Sequence, residues 1–216
     1  MVILGLTGSI GMGKTTAAEG FRSFGIPVHD ADATVHELMA SDGAATEDIL
    51  DVFPEAKKRE PDGTLIIDRQ VLAEAVFGND EALKKLEAIL HPLVREKEKA
   101  FLEKSAAEGA KMVVLDIPLL LETGGDKRCD GVVVVTAPAD VQEKRVLKRP
   151  GMTPERLRLI LARQVPDAEK LRRADFIINT NQDRKKSLRE IEKVVSVASK
   201  WDGKHWAERE TQERNA

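Results

Sequence analysis

The sequence predicts an α/β protein built on a parallel five-stranded sheet, and three observations carry that prediction. Short apolar runs alternate with helical patterns along the 216 residues, the ordering that produces a mainly parallel sheet with helices on its faces. The first run, Val2–Thr7, is apolar on both faces, as a strand covered from both sides must be. The run Gly131–Thr136 (GVVVVT) is β-branched almost throughout, the composition a buried strand favours.

The elements follow in order. A helix is expected over Lys14–Phe24, stopped by Gly25, then a short strand at Ile26–Val28 whose Pro27 marks a sheet edge or a strand start. A short helix is expected at Ala33–Ala40. From Ser41 to about Gly109 no central strand is visible. This stretch offers a helix at Thr46–Phe53, a turn at Pro61-Asp62-Gly63, and Asp68 as N-cap of a helix over Arg69–Phe77. Asn79 caps another helix, and His91-Pro92 opens or kinks a long charged helix ending before Gly109. Three more strands are expected at Met112–Asp116, Gly131–Thr136 and Phe176–Ile178. Asp183–Lys200 reads as a closing helix with Leu188, Ile191, Val194, Val195 and Ala198 on one face. The expected organisation is a core of residues 1–40 and 110–200, a helical substrate-binding insertion over 41–109, a lid region within 138–173, and a flexible tail over 201–216.

Composition excludes several classes. With 34 Lys+Arg against 37 Asp+Glu, the chain lacks the basic excess that supplies non-specific nucleic-acid affinity. Six Phe, two Trp and no Tyr leave little for base stacking. The single cysteine, Cys129, forms no internal disulfide and no paired-cysteine metal knuckle. The apolar runs fall far short of the ~20 residues a membrane helix needs, and the chain begins directly on a strand-like run without a charged leader. The expectation is a cytoplasmic enzyme acting on small molecules, with no nucleic-acid or membrane partner, as a monomer or weak homo-oligomer.

The chemistry enters at Gly8-Ser9-Ile10-Gly11-Met12-Gly13-Lys14-Thr15, which matches G-x-x-x-x-G-K-[ST] at every fixed position. It follows a strand and opens a helix, the context the motif requires. Glycines let the backbone curl so that successive N–H groups face phosphate oxygens, and the helix N-terminus adds partial positive charge. Gly8 to Thr16 therefore form the candidate ATP cradle of a P-loop NTPase-type fold. Lys14 reaches toward the β- and γ-phosphates, and the Thr15 hydroxyl is a candidate Mg²⁺ ligand.

What happens to the phosphate depends on the rest of the chain. A GTPase-like switch would show Asp-x-x-Gly and Asn-Lys-x-Asp, and neither occurs here. A mechanical ATPase usually needs more chain for its coupling parts. A small-molecule kinase needs a base, an acceptor pocket and an arginine-bearing lid, and candidates for all three are present. Asp30-Ala31-Asp32 follows the second strand, where a carboxylate can accept a hydroxyl proton; capping the next helix is the competing role. Asp116 ends the third expected strand, placed to hold a Mg²⁺-bound water or to cap a helix. Ile117 to Glu122 form a stiff apolar loop ending in a carboxylate. Ten Lys or Arg lie between 140 and 173. Arg145 and Arg149 share one helix face at i, i+4 before the Pro150-Gly151 hinge, a lid-like arrangement; a solvated charged face is the alternative. A kinase of another small acceptor, such as a nucleoside monophosphate or shikimate-like alcohol, and a non-catalytic nucleotide-dependent regulator stay open at this point.

The segments LTGSIGMGKTT, Asp30-Ala31-Asp32, LHPLVRE at Leu90–Glu96, DIPLLLE at Asp116–Glu122, and Arg163-Gln164 followed by Ala174-Asp175 resemble, in order and spacing, the dephospho-coenzyme A kinases. The resemblance covers the chain to about residue 200. It implies transfer of the ATP γ-phosphate to the ribose 3′-hydroxyl of dephospho-CoA, the last step of coenzyme A biosynthesis. It also implies a parallel-sheet core, a helical substrate domain and a lid. Asp32 falls on the family's catalytic aspartate, and Arg145 and Arg149 fall in its lid. His91, Pro118, Leu119 and Glu122 fall in the matched segments and are candidate acceptor contacts with Asp32. Two departures stand out. The family often has Asp-Asn after the last strand, where this chain has Ile178-Asn179-Thr180-Asn181, and Arg149-Pro150-Gly151 is less usual than Arg followed by Asn or Asp.

Overall fold

The computed structural model describes residues 1–208, which divide into two compact units: residues 1–30 with 103–208, and Ala31–Leu102. In the first unit five strands, β1 (Val2–Thr7), β2 (Val28–Asp30), β5 (Met112–Asp116), β6 (Gly131–Thr136) and β7 (Phe176–Asn179), form one sheet in the order β2-β5-β1-β6-β7. All four pairings are parallel. β1 lies at the centre, which is why its residues are buried without alternation. β2 is an edge strand and begins two residues later than expected. Pro27 has no N–H to give a ladder, so it contributes only its carbonyl, which accepts from Val114 N–H at 2.9 Å.

Two aspartates pin the register at the N-terminal edge of the sheet. Asp130, just before β6, accepts the Ile3 N–H at 2.7 Å through its side chain, while its own N–H donates to the Ile3 carbonyl. Asp175, just before β7, does the same to Val132 at 2.8 Å. Each replaces a ladder bond that a strand's first residue would otherwise lack.

Helices α1 (Lys14–Ser23) and α9 (Arg184–Ala198) pack Ala17, Ala18, Phe21, Ile191, Val194 and Ala198 against Leu4, Leu6, Val114 and Val133 of the sheet. Leu188 and Val195 complete the predicted apolar face of α9. Asp183 caps it by accepting from Lys186 N–H at 3.0 Å. The basic stretch forms α6 (Ala139–Leu147), α7 (Pro154–Ala162) and α8 (Asp167–Arg172). The segment expected to fray from Trp201 is anchored instead. Trp201 stacks on Phe176 with ring centroids 5.2 Å apart, and His205 N–H donates to Asp130 at 3.2 Å. The lack of periodicity misled there, because one large ring packing on a strand needs none. Residues 209–216 of the expected tail lie outside the described residues.

The second unit contains α2 (Ala31–Leu38), α3 (Thr46–Val52), a hairpin of β3 (Lys57–Arg59) and β4 (Leu65–Ile67), α4 (Arg69–Val76), and most of α5 (Asp80–Ala107). Its own core joins Leu38, Ile49, Leu50, Phe53, Ile67, Leu72 and Leu90. The hairpin was not expected. Its strands have three residues each and β3 reads Lys-Lys-Arg, so only the turn at Pro61-Asp62-Gly63 left a signal. Asp68 caps α4 as predicted, accepting from Gln70 and Val71 N–H at 3.0 and 3.2 Å. His91-Pro92 does not open a helix: Pro92 lies inside the single 28-residue α5, which also takes in the separate helix expected after Asn79. Proline removes one bond to the carbonyl four residues back, and packing of Leu86, Ile89, Leu93 and Val94 on the core holds the helix through it. Among the described residues, no helix is long and apolar enough to cross a membrane.

Candidate functional site

The chain leaves β1 in the middle of the sheet, with β5 on one side and β6 on the other, and turns through residues 8–13 into α1. In an open parallel sheet this reversal of strand order, at the carboxyl ends of the strands, is where ligands bind. Two glycines make the turn possible. Gly11 has φ 77° and Gly13 has φ 91°, left-handed values that side-chain-bearing residues avoid. Gly13 is also crowded: a Cβ there would sit 2.9 Å from Thr180 Oγ1. Met12 N–H closes the turn on the Ser9 carbonyl at 3.1 Å.

Behind this cradle, Asp116 ends β5, buried to 1% exposure, and lies in register with Leu6 of β1 and Asp30 of β2. Its Oδ1 accepts from Lys14 Nζ at 2.5 Å, so the motif lysine is aimed along the strand ends. Thr15 and Thr16 are exposed in the first turn of α1. Thr7 Oγ1 donates to the Pro118 carbonyl at 2.9 Å, tying the loop after β5 to β1. Leu119 projects with 42% exposure.

The remaining predicted residues divide. Arg145, expected on a lid, is instead a clamp. Its Nη1 donates to Thr180 Oγ1 at 2.9 Å and its Nη2 to the Thr180 carbonyl at 2.8 Å, while Thr180 Oγ1 donates to the Met12 carbonyl at 2.6 Å. Arginine's planar fork suits this two-point grip, and the guanidinium thereby braces the phosphate loop from outside. Arg149, one turn on, is exposed. Glu122, expected to contact an acceptor, is turned inward. Its Oε1 accepts from Lys170 Nζ at 2.8 Å and from Val165 N–H at 2.8 Å, and Lys170 is fully buried. His91 is exposed on α5, and Asp32 is exposed in the first turn of α2; both belong to the second unit. The N-cap position expected for an Asp-Ala-Asp aspartate therefore does not describe Asp32, because α2 starts at Ala31.

Burial pushes the Glu122 carboxyl upward, but hydrogen bonds from Lys170, Val165 N–H and its own N–H, with the Lys170 charge, outweigh burial. The carboxyl is held below its ordinary value of 4.5. A carboxylate more acidic in the native state than in the unfolded chain stabilises fully above the unfolded value, and that contribution is lost as pH falls through the native one. Glu122→Gln is therefore expected to lower Tm at pH 7, with the gap to wild type closing below about pH 4.5. Thermal melts between pH 3 and 7 check this; a gap constant across that range would contradict the pairing.

Sequence reasoning did not find Gln142, Thr180 or the role of Gln164. Gln142 Nε2 donates to the Ile10 carbonyl at 2.8 Å, and Ile10 N–H donates to Gln164 Oε1 at 3.1 Å. These partners are more than 130 positions apart in the chain, and a glutamine on a charged helix reads as surface.

The comparisons with known proteins bear on this arrangement. The family model for dephospho-CoA kinase matches residues 2–186. The chain belongs to the dephospho-CoA kinase family. It is 51% identical over 202 residues to a dephospho-CoA kinase of Brucella melitensis, covering 92% of this chain and 96% of that one. A dephospho-CoA kinase of Paramagnetospirillum magneticum is 55% identical over 170 residues, covering 79% and 78%. Among solved structures, dephospho-CoA kinase from Campylobacter jejuni superposes with TM-score 0.61 at 29% identity, covering 92% and 98%. The Thermus thermophilus protein TT1252 superposes with TM-score 0.76 at 36% identity, covering 91% and 96%. The matched region takes in the phosphate loop, Asp116, Arg145, Gln164 and Thr180, so membership in the dephospho-CoA kinase family covers the whole cradle and its supports.

Proposed function

We propose that the protein transfers the terminal phosphoryl group of ATP to the ribose 3′-hydroxyl of dephospho-CoA, releasing ADP and coenzyme A. The observation that carries the reading is the Lys14–Asp116 pair at the mouth of a complete phosphate loop, in a chain of this family. The acceptor oxygen forms the new O–P bond as the bond from phosphorus to the β,γ-bridging oxygen breaks. Asp32, two residues beyond β2, takes the hydroxyl proton. The loop N–H groups and Lys14 hold the β- and γ-phosphates, and Arg149, exposed beside the Pro150-Gly151 turn, meets charge on the transferring group. Pro118 and Leu119 offer an apolar edge to the acceptor. The Thr15 hydroxyl and the Asp116 carboxylate are hard oxygen donors that fit Mg²⁺, which when bound neutralises charge on the phosphates. The reading includes a cytoplasmic enzyme acting as a monomer or weak homo-oligomer.

ADP release from Mg-ATP, measured with dephospho-CoA, AMP, a shikimate-like alcohol or no acceptor, tests it. Turnover with dephospho-CoA alone is the expected result. Turnover only with another acceptor, or nucleotide binding without turnover, overturns it. In the same assay Lys14→Ala is expected to lower kcat/KM about 10²–10³-fold, the usual loss for one preorganised donor to a developing anion. The Tm of Lys14→Ala beside that of Lys14→Ala/Asp116→Asn reports the folding cost of the uncompensated buried carboxylate, and turnover of Lys14→Ala per folded enzyme reports the chemistry.

A further inference from the structure

The phosphate loop is gripped at a single residue from two sides, and the grip has a definite polarity. Gln142 of α6 donates to the Ile10 carbonyl at 2.8 Å; Gln164, just beyond α7, accepts from the Ile10 N–H at 3.1 Å. The partners themselves dictate which amide atom faces which way, since a carbonyl needs a donor and an N–H needs an acceptor. Gln142 is buried, and Gln164 is half-buried. The residue after Gln164, Val165, is fixed in turn by Glu122, which is locked to the buried Lys170.

We infer that Gln142 and Gln164 are positioning residues for phosphoryl transfer, holding the Ile10–Gly11 peptide in the one orientation that a phosphate tolerates. This rests on the kinase reading above. A trans peptide sets the Gly11 N–H antiparallel to the Ile10 carbonyl, so a carbonyl held toward α6 turns the Gly11 N–H to the other side. Gly11, with φ 77°, is the residue at which such a peptide rotates most freely, having no Cβ to resist. Rotation would exchange a donor for a carbonyl oxygen within an anion-binding loop. The Gln142 donor opposes that rotation directly. Gln164 fixes the preceding peptide, so both sides of Ile10 are held. The basic helical segment therefore serves the loop from behind as well as supplying cations.

The test uses two isosteric substitutions at each position, read as kcat per folded enzyme at saturating ATP and dephospho-CoA, with Tm and both KM values alongside. At 164, glutamate keeps an acceptor and methionine removes it, so Gln164→Met is expected to fall about three- to tenfold below Gln164→Glu. At 142 the order reverses. Gln142→Glu faces a carboxylate to a carbonyl and favours the rotated peptide, so it is expected to fall tenfold or more below Gln142→Met. Added negative charge alone would make glutamate the worse substitution at both positions, and that result overturns the inference. So does a fall in Tm with kcat per folded molecule unchanged. Should Gln142→Glu fail to fold, the ranking of the two variants at position 164 decides alone. Failure of the kinase reading is distinguishable, because the wild-type protein would then show no turnover with dephospho-CoA.

Discussion

Asp32→Asn is expected to lower kcat by about 10²–10⁴, the range for loss of a positioned general base, while Tm stays within a few degrees of wild type. The two halves of that expectation rest on different facts. Asn keeps the shape and hydrogen-bonding reach of Asp but cannot take the acceptor's proton at neutral pH. For the fold, Asp32 is exposed in the first turn of α2. Its carboxylate there contributes only the favourable interaction of an anion with a helix N-terminus, about 0.3–1 kcal/mol. Steady-state ADP release, with a thermal melt of the same sample, checks both. A kcat within threefold of wild type would remove Asp32 from the chemistry, and a large fall in Tm would make its role structural.

Lys170→Met is expected to have the largest effect on stability. Its ammonium is fully buried, 2.8 Å from a Glu122 side chain that is itself only 12% exposed. Removing one partner of a buried pair leaves the other charge uncompensated and costs about 3–5 kcal/mol. For a chain of this size that corresponds to a fall in Tm of about 6–20 °C. Neutralising both, in Lys170→Met/Glu122→Gln, is expected to recover part of the loss, because the carboxylate no longer has to be buried alone. A single variant within about 1 kcal/mol of wild type by denaturant unfolding would show that the pair is not held as described. The loss also reaches function by a stated route, since Glu122 fixes Val165 beside Gln164 and Gln164 holds Ile10.

Legibility followed the range of the interactions. Caps were readable because an N-cap acts within three residues: Asp68 and Asn79 were both found, and both accept amides of the first turn that follows. The apolar face of α9 was readable from helical periodicity, and the buried strands β1, β5 and β6 from their continuous apolar runs. The β3–β4 hairpin was not, because three residues per strand are too few for a period and β3 is Lys-Lys-Arg throughout. The docking of Trp201 was not, because a single ring against Phe176 leaves no repeat in the chain.

By itself, then, the sequence determined the phosphate loop, the parallel sheet that presents it and the family to which both belong. Those depend on glycine placement, apolar runs and residue spacing, all of which are local. Only the tertiary structure decided that Arg145 braces the loop through Thr180, that Glu122 turns inward to Lys170, and that two glutamines hold Ile10 by opposite ends of their amides. A charged or polar side chain looks the same in a sequence whether it faces water or a partner a hundred residues away. Its role is set by what the fold brings within 3 Å, about the length of a hydrogen bond.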